Sequence, residues 1–195
     1  MPENGKLTPA ELTPIPGGEL ANEAAHAWNA PGGPADRGLR PAGPISSYRT
    51  LAEQEQTWAT YKAGGPLAAY PGTSNHGLGL AIDLRKFWMR VKLLVFGAKY
   101  GWKKTEAFSE WWHFNYVGGG HHKLRRGDRG RWVGRYRARL RYLGYGMPQG
   151  RNFDVCMKHH VETFQRHHRL PVSGQIDGPT AYRINEAYRR RKEHR

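Results

Sequence analysis

The chain is poor in three things, and each shortage narrows what it can be. Of its 195 residues only Cys156 is a cysteine, which excludes an internal disulfide and any multi-cysteine metal site. No apolar run approaches the roughly 18 residues of a membrane span. The longest, around Val91–Phe96, is far too short. Acidic residues are scarce: 16 Asp and Glu against 31 Lys and Arg give a formal net charge of +15. That balance predicts an anionic partner such as nucleic acid, an anionic membrane surface or an acidic wall polymer. The opening residues, MPENGKLTPAELTPIPGG, also lack the basic start and apolar stretch of a secretory signal, so no signal peptide is expected. What is there, 38% hydrophobic and 24% charged residues, suits a folded globular chain rather than a disordered one.

The charge is unevenly spread. Residues 1–117 carry 12 basic and 10 acidic residues, a balance of +2, whereas residues 118–195 carry 19 and 6, a balance of +13. Such asymmetry suggests two units. Between them, residues 118–131 open with Gly118-Gly119-Gly120, continue through His121, His122 and several arginines, and hold one aliphatic residue, Leu124, so they read as an exposed linker.

In the first unit the Pro- and Gly-rich residues 1–18 are expected to lie extended on the surface. Helices are predicted over Glu19–Ala30, with an apolar face through Leu20, Ala24 and Trp28, and over Leu51–Lys62, with Leu51, Trp58 and Tyr61 aligned. A third is predicted over Phe87–Tyr100, with Val91, Leu94 and Val95 at helical spacing and Gly101 as its stop. Ile45–Tyr48 and the aromatic Trp111–Val117 suit strands. This mixture predicts an α+β fold, with a small, mainly antiparallel sheet and flanking helices over 1–117. Residues 132–195 carry three apolar stripes: Trp132, Tyr136, Leu140, Leu143; then Phe153, Met157, Val161, Phe164; then Ala181, Ile184, Tyr188. They predict a small three-helix domain, with Pro179 in the first turn of its last helix.

Two segments carry chemistry: Ser74-Asn75-His76-Gly77-Leu78-Gly79-Leu80-Ala81-Ile82-Asp83 and Glu110-Trp111-Trp112-His113. Two histidines and a carboxylate are a standard ligand set for catalytic zinc, leaving a fourth position for water. Seven helical residues rise about 10.5 Å, too far for His76 and Asp83 to share an ion. Seven strand residues span about 23 Å and place them on opposite faces. The two converge only if the chain reverses, and Gly77 and Gly79 supply the freedom to do so. If His113 faces a site on a strand, Trp111 and Asn115 share that face, while Trp112, Phe114 and Tyr116 turn to the core. Glu110, at the strand entrance, is placed to take a proton from a metal-polarised water. A lone histidine beside a Gly-rich turn is more often a surface residue than a ligand, and a Trp-Trp pair is usually core. Only the joint pattern points to a metal.

Residues 45–117 resemble the zinc D-alanyl-D-alanine carboxypeptidase family of the VanY/VanX type, which also includes phage endolysin peptidases. The first segment fits the family pattern S-x-H-x-x-G-x-A-x-D through Ser74, His76, Gly79, Ala81 and Asp83. The second fits E-x-W-H through Glu110, Trp112 and His113. The family's upstream Arg corresponds to Arg49, with Ser47 standing where a Gly is common. The resemblance implies that His76, Asp83 and His113 ligate Zn2+, that Glu110 is the general base, and that Arg49 steadies the carbonyl oxygen as charge develops. It further implies that Ser74 and Trp112 support the site.

Residues 132–195 resemble, more weakly, the three-helix peptidoglycan-binding domain found beside many wall hydrolases. The resemblance rests on Val161, Phe164-Gln165, Leu170, Gly174 and Asp177-Gly178-Pro179-Thr180, with the usual Gly-x-x-Gly spacing compressed. Together the resemblances imply a zinc peptidase acting on peptidoglycan stem or cross-bridge peptides, of the endolysin type. It would be made in a host cytoplasm and reach the wall after the membrane is permeabilised, acting as a monomer. Residues 118–195 would also attract anionic wall polymers. A D,D-carboxypeptidase would use the same residues, and a basic non-catalytic wall or nucleic-acid binder is the alternative of another class. The pairs His121–His122, His159–His160 and His167–His168 sit among Arg and Lys and read as a solvated face rather than a second metal site.

Overall fold

The computed structural model describes residues 3–106, 110–118 and 123–194. The pair His121–His122 lies outside them. The fold is α+β: among the described residues there are six α-helices, a two-stranded hairpin and a three-stranded antiparallel sheet.

The N-terminal residues are not loose surface chain. Strand β1 (Leu12–Ile15) and strand β2 (Gly18–Ala21) form an antiparallel hairpin in which Ile15 pairs with Gly18. Gly17, at φ +91°, supplies the positive-φ position the tight turn needs. Leu7 and Ile15 are buried, and Gly5 exchanges backbone hydrogen bonds with Gly77 and Leu51. The hairpin also takes the first residues assigned to the first helix, so α1 runs only over Asn22–Asn29. Of its expected apolar face Ala24 and Trp28 are wholly buried on the helix, while Leu20 is buried from strand β2.

Ile45–Tyr48 forms no strand. A single 3-10 turn, Pro44–Ser46, stands there, as the proline before Ile45 favours. Helix α2 (Leu51–Lys62) has the predicted bounds and opens on a capping box, with the Glu53 amide donating to Thr50 Oγ1 and the Thr50 amide to Glu53 Oε2. Its Trp58 and Tyr61 pack on each other near the surface, and the residue α2 buries is Gln54. Helix α3 (Phe87–Phe96) ends in a 3-10 turn over Gly97–Tyr100, stopped by Gly101 at φ +74°. Its orientation reverses the expectation. Met89 and Leu93 enter the core, while Val91, Leu94 and Val95 face solvent.

The sheet has the order β3-β5-β4, with β3 at Ala81–Asp83, β4 at Trp102–Lys103 and β5 at His113–Tyr116. Its inner face carries Ile82 and Phe114 into a core with Leu20, Trp28, Leu39 and Trp102.

A second core forms between α4 (Arg131–Tyr142), α5 (Val155–His167) and α6 (Gly178–Glu193), from Tyr136, Leu140, Phe153, Met157, Val161, Phe164 and Ile184 among others. Val133, not Trp132, starts the buried stripe of α4. Asp154 caps α5 and Asp177 caps α6, each side chain accepting a backbone N–H of the first turn. Ahead of α4, Leu124 pairs with Ile176 and Arg129 with Asn152.

The two cores are joined tightly. Helix α6 packs on α1, and a Cβ on Gly178 would run into the His26 carbonyl. Beside this contact the buried Asp36 carboxylate accepts hydrogen bonds from the Gly32 amide (2.9 Å), Tyr136 Oη (2.7 Å), Arg139 Nη1 (3.2 Å) and Asn185 Nδ2 (3.1 Å). Arg135 Nη1 adds a bond to the Asp36 carbonyl. Buried without a charged partner, a carboxylate is very costly; here one guanidinium and three further donors satisfy it.

Candidate metal centre

Antiparallel pairing of β3 with β5 sets the site. Ala81 pairs with Asn115, Ile82 with Phe114 and Asp83 with His113. Because side chains alternate, Asp83 and His113 emerge side by side on the face opposite Ile82 and Phe114. His76 arrives by the expected chain reversal. Gly77 N–H donates to the Ser74 carbonyl, Gly79 N–H to that of His76, and Leu80 N–H to that of Asn75. Gly79 sits at φ +64°, and a Cβ there would lie 2.5 Å from the Ala21 nitrogen. At Gly77 the space is already filled by the Asn4 and Gln54 side chains.

The result is a compact triad. One ligand atom from each of His76, Asp83 and His113 lies within 4.8 Å of the other two, and it is the one such cluster among the described residues. His76 Nε2 is 3.3 Å from Asp83 Oδ2, and His113 Nδ1 is 3.0 Å from Asp83 Oδ1. Arg49 Nη2 stands 4.0 Å from Asp83 Oδ2. These four residues, with Ser74, Glu106, Glu110 and Trp112, line one cavity of about 210 Å³, to whose wall Leu67–Ala69 also contribute. All seven residues singled out in the sequence therefore meet at one place. Trp112 stands where the resemblance implies and against the strand alternation: β5 begins at His113, so the alternation does not reach back, and Trp112 joins the cavity wall. Trp111 lies outside, under the Arg90 guanidinium at 3.6 Å from its ring centroid.

Which nitrogens are available follows from their other partners. His76 Nδ1 is 2.7 Å from the Ser47 carbonyl oxygen, which can only accept, so Nδ1 carries the proton and Nε2 presents its lone pair to the site. Asn115 Nδ2 donates to Glu106 Oε1 (3.0 Å) and Thr105 Oγ1 (2.5 Å), which orients the amide. Its Oδ1 therefore faces His113 Nε2 at 3.1 Å and accepts from it, leaving the His113 Nδ1 lone pair towards Asp83. Two lone pairs aimed at a carboxylate demand a cation. The donor set fits a divalent metal of zinc type, with the outer hydrogen bonds that fix imidazole orientation at such sites.

Asn115, Asn75, Glu106 and the Ser47 carbonyl were not foreseen as site supports. Asn75 Nδ2 donates to Asn115 Oδ1 at 3.1 Å. Only Asn115 had a sequence signal, its shared strand face with His113. Ser47, where a glycine is common, has a negative φ, and its buried hydroxyl accepts from the Glu19 amide. Ser74 Oγ accepts the His76 N–H at 3.2 Å, the support expected of it.

The electrostatics agree. Burial alone would raise the Asp83 carboxyl, but the two adjacent imidazoles outweigh it and hold the group far below the usual range. Burial would lower His113, and the contact with Asp83 more than compensates, so its imidazolium is held above the ordinary value. A proton on His113 thus occupies the place a metal would take. Zinc binding by the full chain should release protons, and its affinity should climb with pH until His113 is deprotonated in the metal-free form, then level off. Calorimetry in buffers of different ionisation enthalpy between pH 5.5 and 8 measures this. Affinity independent of pH would contradict the assignment.

Residues 130–184 match the family model described as "Putative peptidoglycan binding domain". No curated protein matches the chain. Among solved structures it is similar to VanYB in complex with D-alanine-D-alanine, with 23% identity over 55% of this chain and 77% of that one, at a TM-score of 0.44. It is also similar to a mutant of the vancomycin-resistance D,D-pentapeptidase VanY from a VanB-type cassette in complex with Zn(II), with 25% identity over 55% and 79% of the two chains and a TM-score of 0.42. A third likeness is to the L,D-carboxypeptidase DacB from Streptococcus pneumoniae, with 24% identity over 53% and 68% and a TM-score of 0.39. The family model names the same kind of domain as the C-terminal motifs, a peptidoglycan-binding domain.

Proposed function

We propose that the chain is a zinc metallopeptidase that hydrolyses peptide bonds of bacterial peptidoglycan. In this reading residues 1–117 carry the chemistry, residues 132–195 hold the wall and residues 118–131 connect them. The observation that carries it is the convergence of His76, Asp83 and His113 in one cavity that also holds Arg49 and Glu110. The two imidazoles and the aspartate would hold the ion through His76 Nε2, His113 Nδ1 and the Asp83 carboxylate. When bound, zinc supplies Lewis-acid polarisation and makes water acidic enough to attack near neutral pH.

The rest is work for the chain's own groups. The Glu110 carboxylate holds no hydrogen bond among the described residues and so is available to take the proton of the attacking water and pass it to the leaving amine. Glu106 lines the same cavity, but its carboxylate is engaged by Asn115, so we assign the base to Glu110. Arg49 keeps its charge despite burial, and its guanidinium is anchored by Nε donating to the Ile45 carbonyl at 3.1 Å. It stabilises the negative charge that grows on the scissile carbonyl oxygen.

The match of residues 130–184 to a peptidoglycan-binding family supports the wall as substrate, and the +13 balance of residues 118–195 supports retention on anionic wall polymers. No helix among the described residues is long and apolar enough to cross a membrane. Within this reading we favour an endopeptidase of the phage endolysin kind. Digestion of purified peptidoglycan, with the fragments weighed and their new ends labelled, tests both levels. Newly freed internal amino groups are expected, and free D-Ala alone would make the enzyme a D,D-carboxypeptidase. Release undiminished after exhaustive chelation would refute the metallopeptidase itself.

A further inference from the structure

Helix α3 has two apolar faces, and the fold uses one. At 100° per residue, Phe87, Trp88, Val91, Leu94 and Val95 fall within an arc of about 120°. They are all exposed, Phe87 by 67%, Leu94 by 57% and Val95 by 81%, while Met89 and Leu93 on the other side fill the core. Trp111, 46% exposed, extends the patch, its ring 6.4 Å from that of Phe87. A soluble surface rarely leaves this much contiguous apolar area without a partner.

The surroundings say what kind of partner. From Leu84 to Thr105 there is no Asp or Glu and there are seven Lys and Arg, of which Arg90 is buried over Trp111; Glu110 is the acidic chain neighbour at the Trp111 end. Along its flank the patch runs into a groove of about 500 Å³ between α3 and α4, where Val91, Val95 and Phe96 face Arg37, Lys92, Arg131 and Arg135. The Arg37 guanidinium lies 4.1 Å from the Phe96 ring centroid, so the cations stand directly on the apolar wall. The groove's acidic member, Asp36, is already bonded to Tyr136, Arg139 and Asn185. An apolar face with an aromatic end, fringed by cations, has the chemistry of an interfacial helix. Ten residues, about 15 Å, let it lie on a bilayer and not cross it.

We propose that the outer face of α3, with the groove beside it, docks on an anionic phospholipid bilayer. The apolar side chains enter the headgroup boundary and the lysines and arginines meet the phosphates. The surface is distinct from the metal cavity, although Trp111 stands in the chain between two of the cavity's residues, Glu110 and Trp112.

The test uses the full chain and sedimentation with vesicles of equal phosphatidylglycerol and phosphatidylcholine, or of phosphatidylcholine alone. Binding to the anionic vesicles is expected, at least about tenfold weaker on the neutral ones. The double substitution Leu94→Glu with Val95→Glu should reduce anionic binding by about tenfold or more, and Val95→Ser alone by less. Both variants should keep the wild-type circular dichroism, because these side chains are exposed, and the wild-type rate on a soluble muropeptide. No binding by the wild type, or undiminished binding by the glutamate variant, would sink the proposal, the second by leaving the basic residues 118–195 as the whole cause. A wild-type dimer that the variant dissociates would overturn it in favour of a second copy of the chain. Glycan-strand binding lost in the variant would overturn it in favour of sugar.

Discussion

Glu110→Ala should bind one zinc per chain as the wild type does and hydrolyse peptidoglycan about 10²–10⁴-fold more slowly, the range expected when a positioned proton carrier is removed. The carboxylate lines the cavity without belonging to the close triad, and its removal leaves Asp83, His76 and His113 with every hydrogen bond they now have. Its charge also helps hold a proton on His113, so the variant should take up zinc with a slightly smaller pH dependence. Glu106→Ala is the necessary companion. Glu106 accepts from Asn115, which in turn accepts from His113 Nε2, so its loss should loosen an imidazole rather than remove a base. The expected signature is weaker metal affinity with a rate within about tenfold of wild type once zinc saturates. Metal content by emission spectroscopy and single-turnover rates on a defined muropeptide separate the two. The opposite pattern would transfer the base to Glu106.

How much of this was legible beforehand depended on whether a residue announces itself by type and spacing. The triad did. The seven-residue separation of His76 and Asp83 required a reversal, the glycines allowed it, and Gly79 occupies the positive-φ position that makes it. The direct pairing of Asp83 with His113 was not legible, because register depends on which strands meet. The supporting shell left little trace either. A backbone carbonyl at Ser47 and the amides of Asn75 and Asn115 act through orientation, which no motif records. Periodicity showed that α3 is amphipathic but could not say which apolar face goes inward. Val91, Leu94 and Val95 fit the helical repeat as well as Met89 and Leu93 do, and only the position of the sheet decides between them. In the N-terminal segment, Pro and Gly alone suggest extended surface chain. They instead built a tight hairpin whose Leu20 and Ile15 fill the core.

Asp36 shows the same limit with larger consequences, since a lone aspartate in Pro34-Ala35-Asp36-Arg37-Gly38 has no signal at all. Its carboxylate joins the first core to α4 and α6, where Gly178 also closes on the His26 backbone. Such a contact makes the C-terminal helical unit a rigid extension of the first unit rather than a tethered one. Asp36→Ala should therefore destabilise the whole chain by about 3–5 kcal/mol, the usual cost of leaving one partner of a buried charged network alone. Arg139, Tyr136 and Asn185 would lose their acceptor in a place that water reaches poorly. For a chain of this size the melting temperature should fall by roughly 10 °C. The single transition of the wild type should also separate into two, as each core unfolds by itself. Zinc stoichiometry and the rate on a soluble muropeptide at low temperature should persist, because Asp36 is not among the residues lining the metal cavity. Calorimetric melts of Asp36→Ala and of the milder Asp36→Asn decide the matter. A shift below about 2 °C, with one transition retained, would mean that the helices hold each other without this carboxylate. If the larger shift is found, deletion of residues 118–195 should itself lower the stability of the first unit, because it strips α1 of the helix that packs on it.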